Sequence, residues 1–214
     1  MKIVVVLVAV GVGYAVLNFA WRWASRHWKL PCPTILAWSL ENPIAQKLNG
    51  TVATVDRIGL QSGQKVLEFG PGPGRLLIPA AKRVLPGGNA VGIELQNGMV
   101  ERLKRNAERA GVINLTVLQG DATQSLVDES AFDLAILSCV LGEIPDRAGV
   151  LRQALRALRP GGRLSVSEMF GDPHYQSRKV VDDLARQAGF EPDGVQGNWY
   201  RFTSNFRKPA ASSS

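Results

Sequence analysis

A short apolar segment that breaks into a glycine-rich stretch constrains this chain more than any other feature. Val66–Phe69 has the composition of a strand, and Pro71 and Pro73 alternate with the glycines that follow it: Gly70, Gly72 and Gly74. The prolines fix φ between the glycines, so the turn is stiff as well as bare. An apolar series after Arg75 suits a helix. Strand, glycine turn and helix together let the backbone approach a nucleotide-like ligand with no Cβ atoms in the way.

Strands and helices alternate from this stretch onward. Strands are predicted at Val66–Phe69, Ala90–Leu95, Leu115–Gln119, Phe132–Ser138 and Arg163–Glu168. Helices are predicted at Arg75–Val84, Gly98–Ala110, Asp146–Leu158 and Ser177–Ala188, after helical pieces between about Pro43 and Ile58. This alternation predicts an α/β domain over residues 42–208, with a mostly parallel, doubly wound sheet. A turn at Gly197-Asn198 predicts a terminal hairpin that adds an antiparallel edge.

The amino-terminal segment is strongly apolar. Ile3–Ala20 is 18 residues long and carries no charge, and a helix of that length spans about 27 Å. Tryptophans and basic residues follow it, as in an interfacial belt. We therefore predict an anchor helix over residues 1–22, an interfacial linker over 23–41, and a single-pass membrane protein with its domain on the cytoplasmic side. A cleaved signal peptide and a buried helix are the alternatives.

Length, charge and cysteine content limit the number of domains and the kinds of partner and metal site that the chain can have. The 214 residues suffice for one domain with an appendage, and the net charge of +7 suits an anionic membrane surface or nucleic acid without choosing between them. Cys32 and Cys139 are far apart in sequence, so neither a disulfide framework nor metal-ligand spacing is present. Residues 209–214 read as a disordered tail.

Polar residues stand at the ends of the predicted strands, where open α/β sheets bind their ligands. Glu68 lies two residues before the first glycine, and Glu94 ends the second strand, 20 residues after Gly74. A carboxylate at the position of Glu94 can accept hydrogen bonds from both hydroxyls of a ribose. Asp121 follows the third strand, where it could accept from an adenine amino group, and Ser138-Cys139 ends the fourth.

These motifs, taken in order, resemble the class I S-adenosylmethionine-dependent methyltransferase family. The resemblance covers roughly residues 42–208 and rests on Glu68 with its glycine loop, on Glu94, and on Gly120-Asp121, Phe132-Asp133 and Leu158-Arg159-Pro160-Gly161-Gly162. It implies a Rossmann-like seven-stranded sheet of order 3-2-1-4-5-7-6 whose last strand is antiparallel, and S-adenosylmethionine as cofactor. More loosely, it resembles the methyltransferases that act on quinones, thiols or other lipophilic acceptors.

The resemblance also implies a role for each strand-end residue. The glycines Gly70, Gly72 and Gly74 are expected to line the methionine part of the cofactor, and Glu68 to hold its amino group directly or through water. Glu94 is expected to bind the ribose, with Leu95 against the adenine. The remaining cofactor contacts are expected from Asp121 and Ala122 at the adenine, and from Ser138 and Cys139 beside the sulfonium and the methyl path.

Methyl transfer from a sulfonium requires mainly orientation of the two reactants and exclusion of water. A general base is needed only when the acceptor must lose a proton. His174 and Tyr175 follow the fifth strand in a segment that can reach over the site, and Glu143 lies close behind the fourth. These three are the candidate acceptor-side residues. Cys139 is interpreted as a small packed side chain instead of a nucleophile.

The sequence favours a membrane-anchored methyltransferase that acts on a small, lipophilic acceptor, since an anchor confines the search for such an acceptor to two dimensions. Three alternatives stay open at this point. The first is a catalytically silent protein that binds S-adenosylmethionine, and the second is a nucleotide-dependent oxidoreductase. The third is a nucleic-acid methyltransferase, although the chain lacks an Asn-Pro-Pro-Tyr stretch after the fourth strand.

Overall fold

Seven strands and five helices make up residues 50–210 of the computed structural model, which describes these residues together with 11–13, 16, 19–20 and 23–24. The helices are α1 (Thr51–Ile58), α2 (Leu77–Arg83), α3 (Asn97–Arg109), α4 (Arg147–Ala157) and α5 (Arg178–Gln187). The strands are β1 (Lys65–Phe69), β2 (Asn89–Glu94), β3 (Leu115–Gln119), β4 (Phe132–Ser138), β5 (Leu158–Met169), β6 (Glu191–Gly197) and β7 (Arg201–Arg207).

The strands form one sheet of order β3-β2-β1-β4-β5-β7-β6, which confirms the predicted topology. Strands β1 to β5 pair in parallel, whereas β7 runs antiparallel between β5 and β6. Because the carboxyl ends of the parallel strands meet at one edge of the sheet, the polar residues that end them are gathered there. We call this edge the carboxyl edge.

The sheet is covered on both faces, as its apolar strands require. Alternation along β1 sends Leu67 and Phe69 into one buried cluster, with Leu151 and Val181 of α4 and α5. It sends Val66 into the opposite cluster, which α1, α2 and α3 cover through residues that include Ile58, Leu77 and Leu103. Glu68 alternates with Leu67 and Phe69, so this carboxylate lies on the face that α1 and α2 cover.

The fifth strand departs from its predicted bounds. The Pro160-Gly161-Gly162 stretch was expected to separate helix and strand, but β5 begins at Leu158, directly after α4. Phe132 pairs with Leu158, and the register then shifts before the next pair on β4. The intervening residues form a bulge, in which Gly161 takes a φ of 73° and donates its N–H to the carbonyl of Lys208 at 3.0 Å. The other predicted strands and helices are confirmed to within two residues at each end in the part of the chain that is described.

The predicted anchor and linker lie almost entirely outside the described residues. Those described between residues 11 and 24 are helical, and their large apolar side chains are exposed: Val12, Val16, Phe19 and Trp23. Among the described residues, no helix has both the length and the apolar character needed to cross a bilayer. The expected helical residues 43–49 and the end of the tail, 211–214, also lie outside the description.

The core makes a direct prediction about stability. Leu134 on β4 is fully buried, so Leu134→Ala should lower the free energy of unfolding by about 3 kcal/mol through lost transfer energy and a residual cavity. Ile113 is 93% exposed at the opposite end of the sheet from the carboxyl edge, and Ile113→Ala should change it by less than about 0.5 kcal/mol. Urea unfolding followed by circular dichroism measures both. Equal effects of the two variants would contradict the placement of β4 in the centre of the sheet.

Candidate active site

The glycine loop that follows β1 is tied to the end of β2 by two hydrogen bonds. Gly70 donates its N–H to the carbonyl of Ile93 at 2.9 Å, and Gly72 donates to Oε2 of Glu94 at 3.0 Å. Gly72 has a φ of 54°, and a Cβ added to it would meet no atom within 4 Å. The loop therefore presents bare backbone to open space at the carboxyl edge, as the sequence predicts.

Glu94 is 5% exposed and holds this loop in place. Its second oxygen, Oε1, accepts the N–H of Gln96 at 3.0 Å. Desolvation raises the pKa of the Glu94 carboxyl, while the backbone N–H groups of Gln96, Gly72 and Leu95 act in the opposite direction. A carboxylate oxygen has lone pairs beyond these bonds, so the ribose role predicted for Glu94 is compatible with its structural one.

Glu68 is the most strongly desolvated group near the loop. It is 2% exposed, and its Oε2 has no hydrogen-bond partner among the described residues. Burial raises its pKa to about 8; the Arg75 guanidinium lowers this pKa and the Glu94 carboxylate raises it further. An orphaned buried carboxylate oxygen is costly to the fold and marks a place where a ligand can supply the missing donor.

Arg75 is a site residue that the sequence analysis missed. It follows the last glycine, and its Nη2 donates to Oγ of Ser138 at 3.2 Å, which bridges the glycine loop and the end of β4. The guanidinium is always charged and suits a carboxylate ligand. The available signal was a cation immediately after the glycine loop. The sequence analysis assigned this residue to the start of a helix and gave it no role in the site.

The three residues expected at the adenine differ in exposure and in the contacts they already make. Leu95 is 59% exposed at the end of β2. Asp121 closes a local turn, because its Oδ1 accepts the N–H of Thr123 at 2.8 Å and the hydroxyl of Thr123 at 2.7 Å. Ala122 is half-buried against the apolar cluster on the α4–α5 face. The adenine roles of these three residues stay predictions, with one oxygen of Asp121 already engaged.

A cleft lies at the ends of β4 and β5, next to Arg75, and its empty space of about 220 Å³ is partly continuous with open solvent. Its floor includes Ser138 and Cys139, the latter with a φ of 54° that is uncommon outside glycine. Desolvation is the largest cause that raises the pKa of the Cys139 thiol, followed by the nearby Asp172 carboxylate. A thiol that holds its proton so firmly is a poor nucleophile, which agrees with the interpretation of Cys139 as a packed side chain. The cleft is lined by Thr54, Arg75, Ser138, Cys139, Ser167, Glu168, Met169 and Arg201.

The three predicted acceptor-side residues lie in the described part of the chain, but none of them lines this cleft. His174 is 7% exposed in a turn where its N–H donates to Oδ1 of Asp172 at 2.8 Å. The ring of Tyr175 packs edge-on against Phe170, with the ring centroids 5.5 Å apart. Glu143 is half-buried in the segment between β4 and α4. Their contact with an acceptor stays a prediction.

Glu168 is a second residue that the sequence analysis missed. It lies at the carboxyl end of β5, is 1% exposed and is one of the residues that line the cleft. The available signal was an acidic residue just before a strand end. Because such residues also occur as surface positions of edge strands, the pattern alone did not separate the two cases.

Three exposed aromatic residues adjoin the same edge. Phe170 is 46% exposed, Trp199 76% and Tyr200 42%. The Trp199 ring lies edge-on to both others, with ring centroids 5.8 Å from Phe170 and 5.7 Å from Tyr200. A backbone hydrogen bond of 2.8 Å from Phe170 to Tyr200 holds the end of β5 beside the β6–β7 turn. We call Phe170, Trp199 and Tyr200 the aromatic lip.

The fold defines a class of protein: an α/β domain with the 3-2-1-4-5-7-6 sheet of class I methyltransferases, whose carboxyl edge combines a bare glycine loop with strand-end acids. The family follows from direct comparison. Residues 60–195 match the model of a family described as a methyltransferase domain. The chain belongs to this family, and S-adenosylmethionine is its cofactor.

Individual relatives agree with the family. Nocamycin O-methyltransferase of Saccharothrix syringae is 32% identical over 154 residues, covering 68% of this chain and 53% of that protein. The ubiquinone/menaquinone biosynthesis C-methyltransferase UbiE of Pasteurella multocida is 28% identical over 138 residues, or 64% of this chain and 49% of that protein. The chain thus spans about half the length of these curated relatives. A SAM-dependent methyltransferase structure from Aquifex aeolicus superposes with a TM-score of 0.76 at 19% identity, covering 83% of this chain and 99% of that one.

The described residues fit the cofactor. The orphaned oxygen of Glu68 matches the positive amino group of the methionine part, and the guanidinium of Arg75 matches its carboxylate. The open space over Gly72 allows close approach of the ligand, since no Cβ intervenes. When bound, S-adenosylmethionine supplies an activated methyl group, so the protein has chiefly to position it.

Gly72 allows a matched test of this cradle. Gly72 and Gly111 both have positive φ, 54° and 66°, and an added Cβ meets nothing within 4 Å at either. Alanine should therefore cost about 1 kcal/mol of stability at each position through backbone strain. Only Gly72→Ala should also weaken S-adenosylhomocysteine binding, by about tenfold (~1.4 kcal/mol), because its methyl group enters the ligand's space. Isothermal titration compares the two variants, and equal affinities would remove Gly72 from the binding surface.

Glu68 makes the stability of the protein depend on pH. A carboxyl whose folded pKa is raised to about 8 stays protonated in the fold while the unfolded chain ionises from about pH 4.5. Its contribution to stability is therefore full below that unfolded pKa and is lost as the pH rises towards 8. Glu68→Gln should be more stable than wild type, and its advantage should grow by about 3 kcal/mol between pH 5 and pH 8. Urea unfolding at several pH values measures the difference, and a constant difference would contradict the buried, orphaned carboxyl.

The ionisation of Glu68 should also change ligand affinity. A rise in pH lowers stability but should strengthen binding. The ammonium group of S-adenosylhomocysteine binds the ionised carboxylate, so wild-type affinity should rise about tenfold from pH 6.5 to 8.5. Glu68→Gln should bind weakly at every pH. A wild-type affinity that is flat across this range and equal to that of the variant would show that Glu68 does not meet the ligand.

Proposed function

We propose that this protein is a membrane-anchored methyltransferase that transfers the methyl group of S-adenosylmethionine to a small, lipophilic acceptor. The donor side of this proposal rests on one observation above all: the orphaned carboxylate of Glu68 lies beside a bare glycine loop that Glu94 fastens. The acceptor side rests on the aromatic lip and on the apolar amino-terminal segment.

The chain's own residues account for most of what the reaction needs. Glu68 and Arg75 fix the two charged groups of the methionine part, and Glu94 with the glycine loop fixes the sugar side. Such positioning converts an encounter of two molecules into a reaction within one complex, which is the largest contribution available to a transfer from an activated donor. The small, partly enclosed cleft limits the water that reaches the reacting atoms.

The aromatic lip supports a lipophilic acceptor. Exposed aromatic residues that adjoin one another at the mouth of a site mark an apolar interaction surface. Trp and Tyr favour the boundary between lipid and water because their rings are apolar and their N–H and O–H groups are polar. Arg201, whose guanidinium lies 5.9 Å from the Tyr200 ring centroid, adds a positive charge suited to anionic headgroups.

The amino-terminal segment supports the anchor. It combines 18 uncharged residues with tryptophans and basic residues after them, so the positive flank favours a domain on the cytoplasmic side. The exposed apolar side chains of Val12, Val16 and Phe19 suit a helix whose surroundings are lipid instead of a protein core.

The relatives support a small acceptor, because their names refer to nocamycin and to ubiquinone or menaquinone. Membership of the methyltransferase family replaces the nucleotide-dependent oxidoreductase alternative. A catalytically silent protein and a nucleic-acid methyltransferase are separate outcomes of the experiment below.

We expect the full-length protein to stay in the membrane fraction after an alkaline carbonate wash. Reconstituted in phosphatidylcholine–phosphatidylglycerol vesicles, it should bind S-adenosylhomocysteine and transfer tritiated methyl groups to decylhydroquinone dissolved in the bilayer. Trp199→Ala should raise the KM for this acceptor about tenfold, equivalent to ~1.4 kcal/mol, and leave the affinity for S-adenosylhomocysteine unchanged. The reason is that the lip contacts the lipophilic acceptor and not the donor.

Ile113→Ala is the matched control, since it removes an exposed apolar side chain far from the carboxyl edge. Donor binding without transfer to decylhydroquinone or to a lipid extract would favour the silent protein. Transfer to RNA or DNA with a steep salt dependence would favour the nucleic-acid alternative. Release from the membrane by carbonate would refute the anchor.

A further inference from the structure

The burial of the Glu168 carboxyl destabilises the folded protein, and no contact among the described residues offsets this cost. Its Oε2 accepts the N–H of Gln176 at 3.2 Å, but its Oε1 has no hydrogen-bond partner among the described residues, although the side chain is 1% exposed. Leaving a buried carboxyl oxygen without a donor costs free energy that folding alone does not recover. A buried polar group in this condition at the edge of a site is a functional candidate.

The other buried polar side chains of β5 do not share this condition. Ser165 donates to Oδ1 of Asn205 at 2.5 Å, and the hydroxyls of Ser167 and Thr203 lie 2.9 Å apart, so β7 satisfies both serines. Strand β7 therefore provides partners for Ser165 and Ser167 but none for Oε1 of Glu168, one residue nearer the carboxyl edge.

Burial affects the ionisation of Glu168 more than any neighbouring charge does. Burial is the largest cause that raises its pKa, and the carboxylates of Asp172 and Glu143 raise it further. The N–H of Gln176, which is the second-largest cause, and the guanidinium of Arg147 lower it. These groups come from the β4–α4 connection, the start of α4 and the β5–α5 connection. Two arginines, Arg75 and Arg201, line the same cleft as Glu168. Desolvation therefore favours the protonated carboxyl, and Oε1, which lacks a donor among the described residues, suits a ligand group that brings a proton.

Glu168 also lies next to the residues expected at the methyl path. Ser167, its neighbour in sequence, pairs with Ser138 across β4 and β5. The carbonyl of Ser167 accepts the N–H of Cys139 at 2.8 Å, so Glu168 follows directly after this junction. Glu68 lies on β1, on the other side of β4, and serves the donor. Glu68 pairs with Ile136 of β4 on the α1–α2 face, whereas Glu168 follows Leu164 and Val166 on the α4–α5 face. The two orphaned carboxyls therefore lie on either side of β4 and on opposite faces of the sheet, both towards its carboxyl edge.

We propose that Oε1 of Glu168 accepts the proton of the methyl acceptor, which is accordingly an amine or a hydroxyl compound. This inference rests on the proposed function. The lone pair of the acceptor nitrogen or oxygen forms a bond to the methyl carbon, and the bond from that carbon to sulfur breaks with its electron pair remaining on sulfur. The N–H or O–H proton of the acceptor passes to Glu168, which returns it to solvent when the product leaves.

The test uses the full-length protein in vesicles with saturating S-adenosylmethionine and three probe acceptors of equal chain length: dodecylamine, 4-dodecylphenol and dodecanethiol. Wild type should methylate the amine or the phenol, and kcat should rise with pH as Glu168 loses its proton. Glu168→Gln should lower kcat by about 100-fold or more and abolish this rise. Its affinity for S-adenosylhomocysteine should change less than about twofold, since the residue is not part of the donor site.

Two further variants keep the result interpretable. Glu191→Gln removes an exposed carboxylate at the opposite edge of the sheet and should behave as wild type. Glu168→Asp keeps the carboxylate but shortens it, so it should retain the pH dependence at a reduced kcat, and it replaces Glu168→Gln if that variant fails to fold.

Several outcomes would overturn the inference. The first is a kcat of Glu168→Gln within twofold of wild type. The second is a fall in kcat in a further variant, Glu143→Gln, with no fall in Glu168→Gln. The third is protein that binds S-adenosylhomocysteine but methylates only dodecanethiol, or none of the probes. Failure of wild type to bind S-adenosylhomocysteine would instead refute the proposed function.

Discussion

The hydrogen bond from the N–H of Gly72 to the carboxylate of Glu94 is the contact on which the site depends. It joins the glycine loop after β1 to the end of β2, and it exists only because these strands run in parallel with Glu68 beside Gly92. A shift of one residue in this register would turn every side chain of one strand to the opposite face. The buried apolar residues on both faces fix the register, so the core determines the geometry of the loop.

The carboxyl edge contains buried carboxyl groups that destabilise the fold. Glu68 and Glu168 are both buried, both have an oxygen without a partner among the described residues, and both have raised pKa values because of desolvation. A protein selected for stability alone would replace such groups. They lie on either side of β4: the Arg75 guanidinium acts on Glu68, whereas the carboxylates of Asp172 and Glu143 and the guanidinium of Arg147 act on Glu168.

The sequence was sufficient to predict where the strands end, but not which side chains contact one another at those ends. Period and turn residues located β1 to β4 closely, and thereby placed Glu68 and Glu94 at one edge. The bulge at the start of β5 escaped because Pro160-Gly161-Gly162 looks the same whether it separates two elements or interrupts one strand. Arg75 was read as the opening of a helix, although its side chain reaches Ser138, 63 residues away. Glu168 escaped for a related reason: a missing hydrogen bond is a property of the surroundings, which no local pattern contains.

The small cleft and the lipophilic acceptor are compatible if only the reacting end of the acceptor enters. The enclosed part of the cleft has room for about one water-sized group, so a large apolar body would have to remain outside it. The aromatic lip lies where that body would rest, and a bilayer would continue the apolar surroundings beyond Trp199. A polar group delivered in this way arrives already stripped of most of its water. The acids near the end of β5 would then meet a proton donor with little competition from solvent, which is the condition under which a desolvated carboxylate is most basic.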